Sequence, residues 1–369
     1  MTHCHCLASS VDMAHRNIPI FIPHMGCPNQ CVFCNQRSIS GCREFRIEDV
    51  TQQIEAALAT ISEGTETEIA FFGGSFTGID RGLMLRLLDT AQTYVRAGRV
   101  DSIRLSTRPD YITPEILSIL SRYSVKVIEL GLQSMDDAVL RASGRGHTAE
   151  TARRACRAVV DAGFSLVGQM MIGLPGSTPK NERATAREIV SLGASAARIY
   201  PTVVFYGTPL WEMTERGEYL PISLNQAVDR SADVLEIFLG ARVKCIRIGL
   251  CANEDLVSSE EVAEGANHPA LGEFVWNEYY YRRMYEALAK QGLLGKDVVI
   301  SVPFADVSKA VGQHRSNVIR LLRNTETRVR KIVGDKTLNR VVPAQWQPQQ
   351  NKKKEQNDSV SEITGNAGL

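Results

Sequence analysis

Short apolar segments that read as β-strands alternate with segments of helical periodicity from residue 18 to residue 204 of this 369-residue chain. The predicted strands cover residues 18–24, 68–72, 102–106, 125–132, 164–172 and 196–204, and the predicted helices residues 48–61, 83–95, 114–121, 149–162 and 180–192. Such β–α repeats with right-handed crossovers produce a parallel sheet. Both a partial barrel and a doubly wound sheet satisfy the pattern. A last strand at residues 247–250 is a candidate to close the sheet.

Three cysteines, Cys27, Cys31 and Cys34, follow the first predicted strand with the spacing C-x3-C-x2-C. Tetrahedral zinc usually takes four Cys or His ligands, and a cubane 4Fe–4S cluster is usually held by four thiolates. Three cysteines without an evident fourth leave one iron open to chelate a substrate or cofactor, so the spacing predicts a reactive site. A structural zinc knuckle, with His24 as a candidate for the distant fourth ligand, is the alternative.

Bulk properties favour a globular enzyme of a reducing cytoplasm. The chain is 44% hydrophobic and 22% charged, and its formal net charge of +1 creates no overall attraction to nucleic acid or membrane. No apolar run approaches a membrane span, and the N-terminus lacks a signal pattern. Nine cysteines, three of them in metal spacing, argue against a secreted disulfide framework. No role is assigned to Cys4, Cys6, Cys42, Cys156, Cys245 and Cys251.

Residues that follow the predicted strands meet at the carboxyl edge of a parallel sheet, where barrel enzymes carry their chemistry. After the second strand come Gly73 and Gly74, which let a backbone approach a ligand closely, and then Ser75. After the third strand comes Arg108, whose guanidinium fork suits both oxygens of a carboxylate; a surface arginine is the alternative. Glu129 is a charge in the apolar fourth strand, and its burial needs a partner.

The cysteine spacing, with aromatic Phe33 directly before the last cysteine, resembles the cluster loop of radical S-adenosylmethionine (SAM) enzymes. In that superfamily the open iron binds the amino and carboxylate groups of SAM. Reductive cleavage of SAM then gives a 5′-deoxyadenosyl radical that abstracts hydrogen from the substrate. The resemblance implies a 4Fe–4S cluster on Cys27, Cys31 and Cys34, with SAM as the second cofactor. It favours a partial (β/α)6 TIM-like barrel, an α/β fold.

The same resemblance assigns cofactor-binding roles to residues at the strand ends. The segment Gly73-Gly74-Ser75 matches the superfamily's Gly-Gly-Glu loop at the methionine amino group, with Ser75 in place of the carboxylate. The implied cofactor-binding residues are Phe33 near the adenine, Gly73, Gly74 and Ser75 at the methionine end, and Arg108 and Gln133 lining the cofactor site.

Five motifs, in order, resemble a narrower family, the catalytic subunit of Elongator. They read STRPDY, ELGLQS, GRGHT, RIYPT and GT, and begin at Ser106, Glu129, Gly144, Arg198 and Gly207. In that subunit the radical domain helps to modify wobble uridine, so the resemblance implies an RNA substrate, transfer RNA. The first cysteine gap is shorter here than in the family. The roughly 120 residues after the predicted barrel show no acetyl-CoA pyrophosphate loop and are too few for an acetyltransferase, so we expect a radical-only relative.

The C-terminal part predicts a small basic α+β module after a Tyr-rich helix at residues 274–290. A strand, a helix, a turn, a helix and a strand are predicted at residues 297–303, 306–311, 312–315, 317–323 and 328–333. This order resembles a KH-type module, whose Gly-x-x-Gly loop clamps nucleic-acid backbone, although Arg315 replaces the second glycine. Residues 301–340 hold nine Lys or Arg against three Asp or Glu, which favours RNA contact. A solvated basic face is the alternative.

The predicted organisation is a disordered leader, a core barrel, a connecting helical segment, a basic KH-like module and a disordered tail, at residues 1–15, 16–245, 246–295, 296–343 and 344–369. The predicted function is a cytoplasmic radical SAM enzyme that modifies RNA and receives electrons from a donor protein, without membrane attachment. Two alternatives stay open. One is the same radical chemistry on a small molecule such as a porphyrin, and the other is a non-enzymatic, metal-stabilised RNA-binding protein.

Overall fold

The computed structural model describes residues 15–22, 25–27, 31–35, 45–250, 262–339 and 342–345. Residues 1–14 of the predicted leader and residues 346–369 of the predicted tail, together with His24, Cys4, Cys6, Cys42 and Cys251, lie outside the described residues. Residue 15 and residues 344–345, which were also assigned to the leader and the tail, lie in strands. The chain divides into two compact units, Met1–Arg282 and Arg283–Leu369. This division falls inside the connecting segment predicted at residues 246–295.

The first unit is built on a parallel sheet with helices between its strands. Its strands are β1 (His15–Ile22), β2 (Glu66–Gly73), β3 (Ser102–Thr107), β4 (Val125–Gln133), β5 (Ser165–Ile172), β6 (Ala196–Pro201), β7 (Val203–Phe205), β8 (Lys244–Ile248) and β9 (Val262–Gly265). Its helices are α1 (Val50–Leu58), α2 (Arg81–Arg96), α3 (Pro114–Leu120), α4 (Asp137–Ala142), α5 (Ala149–Asp161), α6 (Pro179–Ser191), α7 (Pro209–Glu215), α8 (Leu224–Gly240) and α9 (Leu271–Lys290), the last of which continues into the second unit.

Seven of these strands form one sheet in the order β1-β2-β3-β4-β5-β6-β8, with every pair parallel. The order follows the chain without a reversal, so this sheet lacks the switch point of a doubly wound fold. Right-handed crossovers in one direction place the helices on one face, which curls the sheet around its other face. The outer strands β1 and β8 stay unpaired with each other among the described residues. The predicted partial barrel is therefore confirmed, with a seventh strand added.

The two faces of the curled sheet differ in chemistry because successive side chains of a strand point to opposite sides. Residues on the outer face, such as Ile69, Leu105 and Ile128, are fully buried in one apolar core with the helices. The alternate residues on the inner face include charged groups that pair with each other across strands. They are Glu68, Arg104, Glu129 and Arg198.

Three helices begin with the same Thr-Pro pair, in which the threonine caps the helix N-terminus. Thr113, Thr178 and Thr208 each accept a hydrogen bond from the backbone N–H three residues later, at 3.2, 3.4 and 3.3 Å. A proline follows each threonine at the first helical position, where its missing N–H costs nothing. These caps begin α3, α6 and α7 just after the loops that approach the carboxyl edge of the sheet.

The sixth strand predicted at residues 196–204 is two strands in the structure. The N–H and the hydroxyl of Thr202 both donate to the Ile172 carbonyl, at 2.8 Å each, which ends the ladder of β6. β7 then leaves the main sheet and pairs antiparallel with β9. The predicted closing strand at residues 247–250 exists as β8, but it occupies Lys244–Ile248 and pairs parallel with β6.

The second unit holds a three-stranded mixed sheet in the order β11-β10-β12, in which β10 pairs parallel with β11 and antiparallel with β12. Its elements are β10 (Asp297–Pro303), α10 (Val307–Val311), α11 (Ser316–Thr325), β11 (Arg328–Asp335) and β12 (Val342–Gln345). The strand–helix–turn–helix–strand order is the one read from the sequence, and β12 was not predicted. The likeness to a KH module stays an interpretation.

Over the described parts of both units, no helix combines the length and the apolar character that crossing a bilayer requires.

Candidate active site

The loop that carries the cysteines begins where β1 ends, directly beside the end of β2. In the parallel register Ile22 lies opposite Gly73. The N–H of Gly74 donates to the Ile22 carbonyl at 2.7 Å, and the N–H of Ser75 donates to the Met25 carbonyl at 2.9 Å. These bonds fix the chain that leads into Cys27 against the end of β2.

The glycine pair is needed for this contact between two backbones. A Cβ on Gly74 would lie 1.9 Å from the Met25 carbonyl oxygen, and a Cβ on Gly73, whose φ is +107°, would lie 2.8 Å from the Ile22 oxygen. The close approach predicted for these glycines therefore occurs, but the backbone that approaches is the chain's own. Their contact with the methionine end of SAM stays a prediction.

Gly74→Ala is expected to reduce the iron that the protein takes up, because the added methyl group must push the Met25 backbone away from the end of β2. Iron per chain after anaerobic reconstitution measures this effect. Gly240→Ala is the matched control, since a Cβ at Gly240, in the last turn of α8, meets no atom within 4 Å. Equal iron content in both variants would contradict the inference that Gly74 holds the start of the cysteine loop against the end of β2.

Ser75 is fully buried, and its hydroxyl joins the ends of β2 and β3. It lies 2.8 Å from the hydroxyl of Thr107 and accepts the N–H of Arg108 at 3.2 Å. The Thr107 hydroxyl also contacts the hydroxyl of Thr77 at 2.7 Å. The hydroxyl of Ser75 is thus engaged within the protein, where it positions Arg108.

Arg108 is 2% exposed, so the alternative of a surface arginine is excluded. Its Nε and Nη2 donate to the two carboxylate oxygens of Asp110 at 2.9 and 2.8 Å, and Nη2 also donates to the Arg145 carbonyl at 2.9 Å. Burial raises the pKa of Asp110, but the hydrogen bonds and charge of Arg108 outweigh that effect and lower the pKa below its ordinary value. The guanidinium is therefore held rigidly, and Asp110 balances its charge.

The three cysteines are free thiols, with Cys31 buried and Cys27 and Cys34 half-buried. The N–H of Cys34 donates to the Cys31 carbonyl at 3.0 Å, which makes a tight turn. Burial raises the pKa of the Cys27 thiol, and the positive charges of Arg145 and Arg108 oppose that shift. The cysteine loop therefore lies within electrostatic reach of both arginines.

Among the described residues, no three His, Cys, Asp or Glu side chains converge on a point where one metal ion would bind. A cubane cluster binds each thiolate through a different iron, so its ligands stand further apart than those of one ion.

Arg145 is a site residue that the sequence reasoning did not single out, although it lies in the GRGHT motif. It follows α4 in a loop tied to the cysteine segment by a hydrogen bond from the N–H of Val32 to the Ser143 carbonyl at 3.1 Å. Its Nη1 donates to Sγ of Cys31 at 3.5 Å, and its Nη2 donates to the Gly131 carbonyl at 2.6 Å. The flanking glycines of the motif were the signal, because they indicate a backbone held in special turns.

His147, two residues further, is also buried beside this cluster. Burial is the largest cause that lowers its pKa, the charges of Arg145 and Arg108 act in the same direction, and the resulting pKa is about 3. The imidazole is therefore neutral at ordinary pH and adds no charge to the site. Positive charge in this loop comes from Arg145 alone.

Phe33 and Gln133 lie at two other strand ends. Phe33 packs in a small apolar cluster with Met171 and Leu174, at the end of β5, and with Val139. Gln133 is buried, has a φ of +66°, and accepts a hydrogen bond from Nε2 of Gln169 at 3.3 Å. A non-glycine residue with such a φ costs free energy, and residues of this kind cluster at functional sites.

The partner that buried Glu129 requires is Arg198 on the inner face of the barrel. Nε of Arg198 lies 2.8 Å from Oε2 of Glu129, and Nη1 donates to the hydroxyl of Tyr200 at 3.0 Å. The Arg198 guanidinium also lies over the ring of Phe72, 5.2 Å from its centroid. These contacts give the inner face a polar surface, whereas a packed barrel interior would hold branched apolar residues.

The residues of this edge fit a 4Fe–4S cluster with SAM. Nη1 of Arg108 and Nε of Arg145 are buried donors without a hydrogen-bond partner in the described part of the chain. Buried donors are normally paired, so these two mark a place for an anionic group. A cluster on three thiolates and the carboxylate of an amino acid are both anionic.

Comparison with known proteins bears on this interpretation. Residues 21–189 match the Radical SAM superfamily, and residues 194–281 match the Radical_SAM C-terminal domain. An uncharacterized protein of Methanocaldococcus jannaschii is 30% identical over 59% of this chain and 70% of its own length. The solved structure of Methanocaldococcus infernus Elp3 with an N-terminal deletion has a TM-score of 0.56 over 77% of this chain and 66% of that chain, at 18% identity, which supports the fold.

Two larger relatives carry functional names. The tRNA uridine(34) acetyltransferase of Methanocaldococcus infernus is 26% identical over 53% of this chain and 34% of its own length. Elongator complex protein 3 of Saccharomyces cerevisiae is 33% identical over 37% of this chain and 25% of its own length. The matches thus cover about a third and a quarter of these two proteins. The chain belongs to the radical SAM superfamily, as an enzyme of a branch resembling Elongator complex protein 3, and its cofactors are a 4Fe–4S cluster and SAM.

Proposed function

We propose that this enzyme holds its cluster through Cys27, Cys31 and Cys34 and modifies RNA, with transfer RNA as the substrate. The observation that carries the proposal is the convergence of the cysteine loop with buried cationic side chains at the carboxyl edge of the barrel. Its direct contact is the 3.5 Å bond from Arg145 to Sγ of Cys31. When bound, the cluster and SAM supply the reductive cleavage that yields a 5′-deoxyadenosyl radical.

Each strand end contributes a different group to the cofactor site. Arg108 is oriented by Asp110 and keeps Nη1 for the methionine carboxylate. Phe33, backed by Met171, supplies an apolar surface for the adenine. Gln133 lines the same edge of the sheet. The remaining members of the proposed site are Gly73, Gly74 and Ser75, through their backbone groups at the methionine end.

The RNA substrate is proposed from the relative named as a tRNA uridine(34) acetyltransferase and from the charge of the second unit. Residues 301–340 hold nine basic against three acidic side chains. His314 and Arg315 are exposed and have φ values of 49° and 62°, in the turn between α10 and α11. A KH-like module at residues 296–343 would use such a turn to contact phosphates. We place the enzyme in the cytoplasm, with an electron-donor protein as a further partner.

The proposal is tested by reducing the reconstituted enzyme with dithionite under anaerobic conditions in the presence of SAM. We expect 5′-deoxyadenosine, and we expect more of it when bulk transfer RNA is added. If the amount of 5′-deoxyadenosine does not depend on RNA, the protein is still a radical SAM enzyme, but its substrate is a small molecule. Cluster-loaded protein that forms no 5′-deoxyadenosine would favour a non-enzymatic binding protein.

The variant Arg315→Gln/Arg323→Gln tests the second unit as the RNA contact, because both side chains are exposed there. We expect weaker binding of transfer RNA and a shallower dependence of log K on log salt, by about 0.7–0.9 for each phosphate that the protein no longer neutralises. Arg154→Gln/Arg157→Gln removes two exposed arginines from α5 and is the matched control. Equal losses in both double variants would mean that only total charge matters.

A further inference from the structure

Arg145 stands apart from the other charged groups of the site, because no carboxylate pairs with it among the described residues. Arg108 is balanced by Asp110, and His147 is neutral at ordinary pH. Arg145 is 6% exposed, so water screens its charge little. The local excess of one positive charge therefore lies directly against the thiol of Cys31.

The orientation of this guanidinium is fixed from several sides. Its Nη2 donates to the Gly131 carbonyl at 2.6 Å, while its backbone carbonyl accepts Nη2 of Arg108 at 2.9 Å. A Cβ on Gly131 would lie 2.9 Å from Nη2, so glycine at this position of β4 leaves the space that the guanidinium occupies. The remaining bond, from Nη1 to Sγ of Cys31, is thus made by a group that has little freedom to move away.

We propose that Arg145 is a positioning residue that raises the reduction potential of the cluster through its hydrogen bond to the Cys31 thiolate. The inference rests on the proposed cluster ligands. Hydrogen bonds to cluster sulfurs and the net charge around a cluster are among the factors that set its potential. Reduction adds one electron to the cluster, and a nearby cation with an N–H···S bond stabilises that extra negative charge. Arg145 therefore makes the cluster easier for a donor to reduce.

The test is a titration of the reconstituted full-length protein with graded dithionite, followed by EPR of the reduced cluster, without SAM or RNA. Arg145→Gln removes the charge and shortens the side chain. We expect the ratio of reduced to oxidised cluster at a fixed potential to fall by about tenfold, which corresponds to a midpoint about 59 mV more negative for one electron. Arg145→Lys keeps the charge, but its single amino group can bond to only one of the two acceptors, Sγ of Cys31 and the Gly131 carbonyl. We therefore expect a shift of the midpoint potential that has the same sign and is smaller.

Arg141→Gln is the matched control, since Arg141 lies four residues earlier on α4, is exposed and carries the same charge. An unchanged midpoint in Arg145→Gln, or an equal shift in Arg141→Gln, overturns the proposal. If Arg145→Gln takes up no iron, Arg145→Lys replaces it in the test, and an unchanged midpoint in Arg145→Lys then overturns the proposal. An unchanged midpoint, together with weaker SAM binding in a separate equilibrium-binding assay of the same variant, would overturn the proposal and assign Arg145 to SAM instead. A wild-type protein without any reducible cluster would overturn the proposed function itself.

Discussion

Cys31→Ala protein is expected to lose most of its bound iron and to form no 5′-deoxyadenosine above background. Cys31 is the most deeply placed of the three cysteines, at 5% exposure, and it is held by the turn to Cys34 and by Arg145. A cluster with three protein thiolates has no ligand to spare, so removing one leaves two irons without a protein ligand. Iron and sulfide per chain, against about four of each in the wild type, measure the first effect. Anaerobic turnover with dithionite and SAM measures the second.

Cys156→Ala is the control for this result. Cys156 is also a buried free cysteine, but it packs in the apolar core between α5 and the sheet, where burial raises the pKa of its thiol to about 12. A thiol of this kind stays protonated and inert. We expect full iron and full 5′-deoxyadenosine from that variant. Full iron in Cys31→Ala would remove Cys31 from the proposed ligand set.

Arg198→Met is expected to destabilise the barrel by about 3–5 kcal/mol, the typical result of removing one partner of a buried ion pair. The side chains of Glu129 and Arg198 are 4% and 12% exposed, so the lone carboxylate would find little water. The free energy of unfolding from urea titration of the apoprotein, followed by far-UV circular dichroism, measures the loss. The change also removes the cation over Phe72 and the donor to Tyr200, which adds to the effect.

The double variant Glu129→Gln/Arg198→Met separates the effect of charge burial from the effect of reduced packing. With the carboxylate replaced by a neutral amide, no uncompensated charge stays in the interior, and most of the stability should return. Arg99→Met is the surface control. Its bidentate pair with Glu55, at 2.7 and 2.8 Å, is about half exposed, and we expect only a small loss there. A loss in Arg198→Met no larger than in Arg99→Met would show that the inner pair is not energetically buried.

Most strands and helices of the barrel were predictable because each carries its own periodic pattern, but α4, α7 and α8 were not predicted. The predicted core strands all exist, and the exception at residue 202 is informative. Val203 and Val204 continue an apolar run, so sequence alone extends the strand through them. In the structure Thr202 bonds to the carbonyl of Ile172 on the neighbouring strand, and this contact ends β6. A strand boundary of this kind depends on a partner that is distant in sequence.

The candidate site was only partly predictable for the same reason. The need of Glu129 for a partner follows from its sequence context, but which residue supplies it depends on the register of β4, β5 and β6. Whether Arg108 is a surface or a buried arginine depends on Ser75, Asp110 and the carbonyl of Arg145, which surround it. For Gly74 the sequence predicts a close approach without identifying the atoms that approach.

Two features of this protein can be read from its sequence alone: strands alternate with helices, and three cysteines follow the first strand in cluster spacing. Both are local patterns, because hydrophobic periodicity and the spacing of nearby residues can be recognised along the chain without knowledge of tertiary contacts. Three other features are visible only in the folded chain: Arg145 reaches Cys31, Gly131 leaves space for its guanidinium, and the inner face of the barrel is charged. Those facts arise from the parallel register, which brings side chains from separate strands and loops to one edge of the sheet.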